Sequence, residues 1–208
     1  MKRLRLIMLM FSIALAGCSL PKIVVLHDPL SAEEHVKLGS IYASQGKVDL
    51  ARDQYQAAVK QDPKNARAWS LLGDTAYALK DYAGAERAYD SALKLDPKSG
   101  DLHNNLAWVY VQQDRKLSKA QDLVMAAMDL TPDHRPYYLD TLGVIQLKLG
   151  KIPDAIASLR GSTETIPPDR PEFLAEAYRH LADAYEAAGD EAAANEALQR
   201  AGELRKIP

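Results

Sequence analysis

One thiol, five imidazoles and many carboxylates are the groups in this 208-residue chain able to do chemistry, and their spacing decides what they can do. A transition-metal site needs several ligands converging on one point, which two histidines on a helix achieve when they stand four residues apart. His27, His35, His103, His134 and His180 are scattered, and no two have H-x-x-x-H spacing. No G-x-S-x-G elbow exposes a serine nucleophile, and no G-x-x-x-x-G-K-[ST] loop offers a phosphate cradle. Pairs such as Glu33-Glu34 and Glu172/Glu176 fall on helix faces expected to meet solvent. No catalytic residue, metal ligand or cofactor is assigned. The chain reads as a protein that binds other molecules and transforms none.

The lone thiol, Cys18, has a particular setting. Lys2, Arg3 and Arg5 precede an almost wholly apolar run from Leu6 to Leu15, and Ala16-Gly17 are small. This is the layout of a secretory signal peptide over residues 1–17, too short to span a bilayer comfortably. A single cysteine in an exported protein calls for an explanation. Leu15-Ala16-Gly17-Cys18 resembles the lipobox of bacterial lipoproteins, and the resemblance implies acylation of the Cys18 thiol, palmitate included, and a membrane anchor there. Each buried methylene adds about 0.8 kcal/mol to such an anchor. Ser19, by resemblance to the sorting preference of Gram-negative lipoproteins, implies the outer membrane, with the protein facing the periplasm. Residues 18–31, with Pro21 and Pro29 and no helical period, then form a lipidated tether. Ile23-Val24-Val25-Leu26 within it has the makings of a brief strand or of a segment packed on the first helix.

Removal of residues 1–17 takes away three basic and no acidic residues, leaving 23 basic against 28 acidic side chains, a formal charge near -5. A mildly acidic chain without a Lys/Arg cluster lacks the phosphate-neutralising footprint of a nucleic-acid binder. Nearly half the residues are apolar, yet only two are Phe and alanine is abundant. That composition suits close packing of helix on helix better than a β-sandwich.

Internal repetition supplies the architecture. Leu38-Gly39, Leu72-Gly73, Leu106-Ala107, Leu142-Gly143 and Leu181-Ala182 align. Each is followed at a fixed offset by a small residue (Ala51, Ala85, Ala120, Ala155, Ala194), then a bulkier one (Tyr55, Tyr89, Val124, Leu159, Leu198). A small residue comes next (Ala58, Ala92, Ala127, Ser162, Ala201), and Pro63, Pro97, Pro132 and Pro167 close four of the units. The first two periods are 34 residues; the third gains one near Arg115 to Ser118, and about five more precede the last unit. The period and signature resemble the tetratricopeptide repeat family. The resemblance implies an all-α solenoid of about five helix-turn-helix repeats in a right-handed superhelix, over residues 32–208. The repeats span about 32–65, 66–99, 100–134, 136–169 and 175–208.

Each unit reads as two amphipathic helices, for example Ala32–Ser44 and Val48–Gln61. Ser31 and Glu34 have capping-box spacing. Gly46, Gly150 and Gly189 stand where a left-handed residue turns the chain back, and Lys80 and Asp114 hold those places in the second and third units. Arg115, Lys116 and Lys119 mark the inserted turn, expected as a solvated loop.

By resemblance, the second, fifth, ninth, twelfth and thirteenth places of each unit line the concave groove. They include Glu33, Val36 and Ser40; Arg67, Ser70, Asp74 and Tyr77; Asp101, Asn104, Trp108 and Val111. The last two units add Tyr137, Asp140 and Val144, then Arg179, Asp183 and Glu186. Trp69 holds a structural place, whereas Trp108 faces the groove, where a large aromatic serves as a binding anchor. The candidate partner-binding patch is Tyr77, Asn104, Trp108, Tyr137 and Asp140; the alternative is that Trp108 packs between repeats or under the N-terminal tether. Val36/Ser40, Ser70/Asp74 and Asn104/Trp108 do not supply the Lys and Asn that clamp a C-terminal carboxylate in part of the family. The groove is slightly acidic, so a basic or apolar ligand fits better than an acidic tail.

The expected function is a membrane-anchored adaptor or scaffold of the bacterial envelope that binds other envelope proteins or peptides. Alternatives are a pilus or secretion-system assembly lipoprotein, a self-associating solenoid forming homodimers, and a non-catalytic subunit of an export or peptidase system.

Overall fold

The structure is a computed structural model that describes residues 28–205. The signal peptide at 1–17, the lipidation of Cys18, Ser19, Pro21 and the apolar run Ile23–Leu26 of the tether lie outside the described residues. Ten α-helices occur among the described residues, in chain order: α1 (Ala32–Ser44), α2 (Val48–Gln61), α3 (Ala66–Ala78), α4 (Tyr82–Leu95), α5 (Gly100–Gln112), α6 (Leu117–Leu130), α7 (Arg135–Lys148), α8 (Ile152–Thr165), α9 (Pro171–Ala188) and α10 (Glu191–Leu204). A single 3₁₀ turn, Pro132–His134, precedes α7, and no strand occurs among the described residues. Each odd-numbered helix pairs with the next, and the five hairpins stack in sequence as an α-solenoid.

The chain's own punctuation sets these boundaries. The Ser31 side chain accepts from the Glu34 N–H while the Glu34 carboxylate accepts from the Ser31 N–H at 2.8 Å, closing the capping box at α1. Asn65, Asp81, Ser99 and Asp190 cap α3, α4, α5 and α10 with one side-chain acceptor each. Such a cap contributes about 1 kcal/mol. Helices α2, α4, α6 and α8 all stop two residues before a proline, because the residue preceding proline avoids the helical region. Within hairpins the chain reverses through left-handed residues: Gly46 (φ 71°), Gly150 (73°) and Gly189 (78°). Lys80 (61°) and Asp114 (48°) adopt the same conformation at a steric cost that glycine avoids.

Paired helices approach closely because volumes match across the first four hairpins, whereas Leu198 at the corresponding place of the fifth is 44% exposed. A Cβ on Gly39 would meet the Tyr55 ring at 2.6 Å, and one on Gly73 the Tyr89 ring at 2.5 Å. The third hairpin solves the same problem the other way: the glycine becomes Ala107 and the ring shrinks to Val124, both fully buried. The core runs unbroken through the middle of the stack, from Ala76 and Tyr89 past Leu106 and Val124 to Tyr138 and Ile145. Trp69 is half-buried against it, with Nε1–H donating to the Pro63 carbonyl at 2.9 Å.

Three expectations need correction. Val36 and Val111 do not line the groove; they are 1% and 2% exposed. Val36 packs with Ala58, Val59 and Ala68, beneath the following hairpin, and Val111 belongs to the central core. Those places are covered by the stack, where an apolar side chain gains more by burial than by facing water. The basic turn is no free loop either. Arg115 and Lys116 both pair with Glu86 on α4, and Arg115, Lys116 and Lys119 surround the Tyr110 ring at 5.4, 4.8 and 5.4 Å. Burial would raise the Glu86 pKa, but hydrogen bonds from Lys116 and Arg115 dominate and bring it down to about 2. The inserted residue, carried by left-handed Lys116 (φ 52°), is thus latched to the preceding repeat.

Candidate functional site

The odd-numbered helices form one wall of the solenoid, and α7 touches both α5 and α9 directly. Two adjoining cavities open along this wall. The first, about 460 Å³, lies between α3, α5 and α9, with Asp74, Tyr77, Trp108, Gln112, Glu176 and His180 around it. The second, about 320 Å³, lies between α5, α7 and α9, with Asn104, Trp108, Tyr137, Asp140 and Phe173 around it. Trp108 belongs to both.

Trp108 is half-buried: one side of the indole rests on the central core, and its centroid lies 5.9 Å from the His180 ring. Tyr77 meets Tyr82 edge-to-face at 5.7 Å. Tyr137 meets Phe173 edge-to-face at 5.1 Å, an arrangement favoured by the ring quadrupoles. Asn104 offers a buried Oδ1 with no protein hydrogen-bond partner. The five candidate residues therefore divide around the indole, Tyr77 in the first cavity and Asn104, Tyr137 and Asp140 in the second. Asp101 is engaged otherwise, accepting from Tyr138 Oη at 2.6 Å and facing His134 Nδ1 at 2.8 Å.

Asp74 faces the first cavity from α3. Its Oδ1 accepts from the Tyr89 hydroxyl at 2.7 Å and from Asn105 Nδ2 at 3.4 Å. The side chain keeps contact with solvent at the cavity mouth, but the crowding walls desolvate the carboxyl and push its pKa upward, against the Tyr89 hydrogen bond. Burial, then the charge of Asp74, pushes the Tyr89 hydroxyl far above its usual range, so it stays protonated and donates.

His180, Phe173 and Glu176 escaped the sequence reading as groove residues. Helix α9 runs 18 residues against 13 or 14 in every other α-helix among the described residues, and its extra N-terminal turn carries Phe173. The spacer before the fifth unit was the signal for it. His180 Nδ1 lies 2.9 and 3.0 Å from the two Asp140 oxygens, and Nε2 lies 3.5 Å from Glu176, which also pairs with Arg179. Nothing in the sequence ties His180 to Asp140 forty residues away.

Burial alone would depress the His180 pKa, but the hydrogen bond to Asp140, followed by the charges of Asp140 and Asp183, outweighs it and raises the value. Protonated His180 therefore binds α7 to α9 more tightly than neutral His180 does. This contribution is complete below the ordinary imidazole pKa of about 6.5 and disappears as pH rises through the folded-state value. The difference in melting temperature between the wild type and His180→Gln is expected to shrink from pH 6 to pH 8. A difference that ignores pH across that window would show that the pair carries no charge.

Two family models described as tetratricopeptide repeat match residues 36–100 and 76–145, together more than half of the chain. The TPR repeat-containing protein PA0015 of Pseudomonas aeruginosa is 38% identical over 64 residues, 31% of this chain and 61% of that protein. The type IV pilus assembly protein PilF of the same species is 24% identical over 119 residues, 57% of this chain and 47% of PilF. Among solved structures, PilW, a widely conserved type IV pilus biogenesis factor, superposes with a TM-score of 0.75 at 21% identity, covering 85% of this chain and 79% of PilW. That likeness shows a shared fold. The chain spans between 7% and 61% of the length of the curated relatives it matches.

Proposed function

Because the chain belongs to the tetratricopeptide repeat family, whose fold binds proteins and peptides, we propose that it is a non-catalytic adaptor of the bacterial envelope, tethered to the outer membrane through lipid on Cys18, that grips an extended segment of a partner in the groove of α3, α5, α7 and α9. The observation that carries this reading is the placement of Trp108 between cavities of about 460 and 320 Å³, each with a second aromatic wall. An indole shared by two adjoining cavities can anchor one bulky residue of a bound segment while its neighbours enter on either side. The candidate patch is Tyr77, Asn104, Trp108, Tyr137 and Asp140, to which the geometry adds Phe173 and His180.

A narrower reading, assembly of a pilus or secretion apparatus, is favoured by the similarity to PilF and PilW. Both readings are tested by a photoreactive residue at Gln112, exposed on the groove wall, against a control at Met125, exposed on α6. In native cells Gln112 is expected to capture one defined envelope protein and Met125 none; a pilus or secretion component would select the narrower reading. Capture at Met125 alone would refute the groove. Cys18→Ser is expected to abolish incorporation of labelled palmitate and move the chain out of the membrane fraction.

A further inference from the structure

We infer that the cavity between α3, α5 and α9 receives a cationic side chain, lysine or arginine, of the bound segment, with Asp74 as its counter-charge and Trp108 and Tyr77 as its aromatic walls. This rests on the groove reading above and adds the chemistry of the residue that enters first.

The charges lining this cavity do not cancel. Glu176 is paired with Arg179 and His180, and Asp140 with His180. Asp74 has neutral partners only, Tyr89 and Asn105, and both reach the same oxygen. Its Oδ2 takes no hydrogen bond, and the carboxylate no ion pair, among the described residues. Asp74 is thus a fixed acceptor with one free oxygen in a partly desolvated cavity.

Packing does not require that charge. In the first repeat the equivalent place is Ser40, whose hydroxyl lies 3.3 Å from the Tyr55 hydroxyl, the counterpart of Tyr89. A neutral side chain meets the same ring there. The negative charge of Asp74 is therefore surplus to the hairpin and lies where a ligand enters. Trp108 and Tyr77 flank the same cavity, and a cation within about 6 Å of such a ring centroid is attracted to its face. An acidic residue would meet Asp74 and Glu176 in a cavity whose lining includes no Lys or Arg, and an apolar one would leave the Asp74 oxygen desolvated without compensation. The raised pKa of Asp74 is what a carboxylate lacking its cation should show, and an entering cation would reverse it.

The test uses the full chain in detergent and a phage-displayed library of random dodecapeptides. Selected peptides are expected to share one basic position. A synthetic binder is then compared with its analogue carrying citrulline, or acetyl-lysine, at that position. On the unaltered chain the neutral analogue should bind about tenfold or more weakly, as befits loss of a charge-assisted contact. On Asp74→Asn the two peptides should bind alike, both at the weakened level. The analogue comparison on the unaltered protein keeps the inference testable if Asp74→Asn folds poorly. No binders, binders without a shared basic position, or equal binding of both peptides to the unaltered chain would overturn it. If neutralisation changes nothing while Trp108→Ala abolishes binding, the groove stands and the cation site falls; if Trp108→Ala binds as the wild type does, the groove reading falls as well.

Discussion

Trp108→Ala is expected to weaken binding of the partner segment by about 2–4 kcal/mol, roughly thirtyfold to nearly a thousandfold. The size of the effect follows from the double placement of the indole. It forms part of both cavities, so its truncation merges two shaped sites into one shallow trough and removes the aromatic face that each shares. The same side chain rests on the central core and beside His180, so stability falls too, by about 1–3 kcal/mol. The two consequences separate by experiment. Binding is measured well below the variant's melting temperature, by anisotropy of a labelled partner peptide, beside a circular-dichroism melt. Lost affinity in a folded protein identifies an anchor; retained affinity with a lower melting temperature identifies a packing residue. Trp108→Phe serves as the graded control, restoring much of the core contact but less of the reach into the second cavity.

The helices were legible because each is specified by residues close in sequence. Ser31 and Glu34 start α1, Pro63 follows the end of α2, and Gly46 turns the chain between them. Lys80 and Asp114 take up the left-handed conformation although neither is glycine and lysine in particular does not favour it, since the repeat register demands a reversal there. The groove was less legible because its geometry is set between repeats. Val36 and Val111 hold nominal groove places yet are buried among core residues that include those of the neighbouring hairpin, contacts that no single repeat encodes. Phe173 enters the groove because α9 begins a turn early, and His180 matters because stacking brings it to Asp140. Arg115 and Lys116 look solvated in sequence, their partner Glu86 lying a repeat earlier. Contacts between repeats are the information that a periodic pattern omits.

Tyr89→Ala is expected to cost about 3–5 kcal/mol of folding free energy, against about 1 kcal/mol for Tyr89→Phe. Tyr89 is 2% exposed, its ring lies over the backbone at Gly73, and it belongs to the central cluster shared by three hairpins. Removal of the ring leaves a void that the Gly73 side cannot fill, in the middle of an array held together by nearest-neighbour contacts. Urea unfolding should show the midpoint falling for both variants. A lower slope with Tyr89→Ala would mean that the N-terminal hairpins unfold separately. Gly73→Ala supplies the sharper check, because its sign should depend on Tyr89. In the wild type the new Cβ would stand 2.5 Å from the ring and destabilise the hairpin, whereas the gain in helix propensity is at most about 1 kcal/mol. In the Tyr89→Ala background the obstacle is gone and the propensity gain remains, so the same substitution should stabilise. If Gly73→Ala carries the same sign in both backgrounds, the ring is not what holds that glycine in place, and volume matching does not govern the packing of this hairpin.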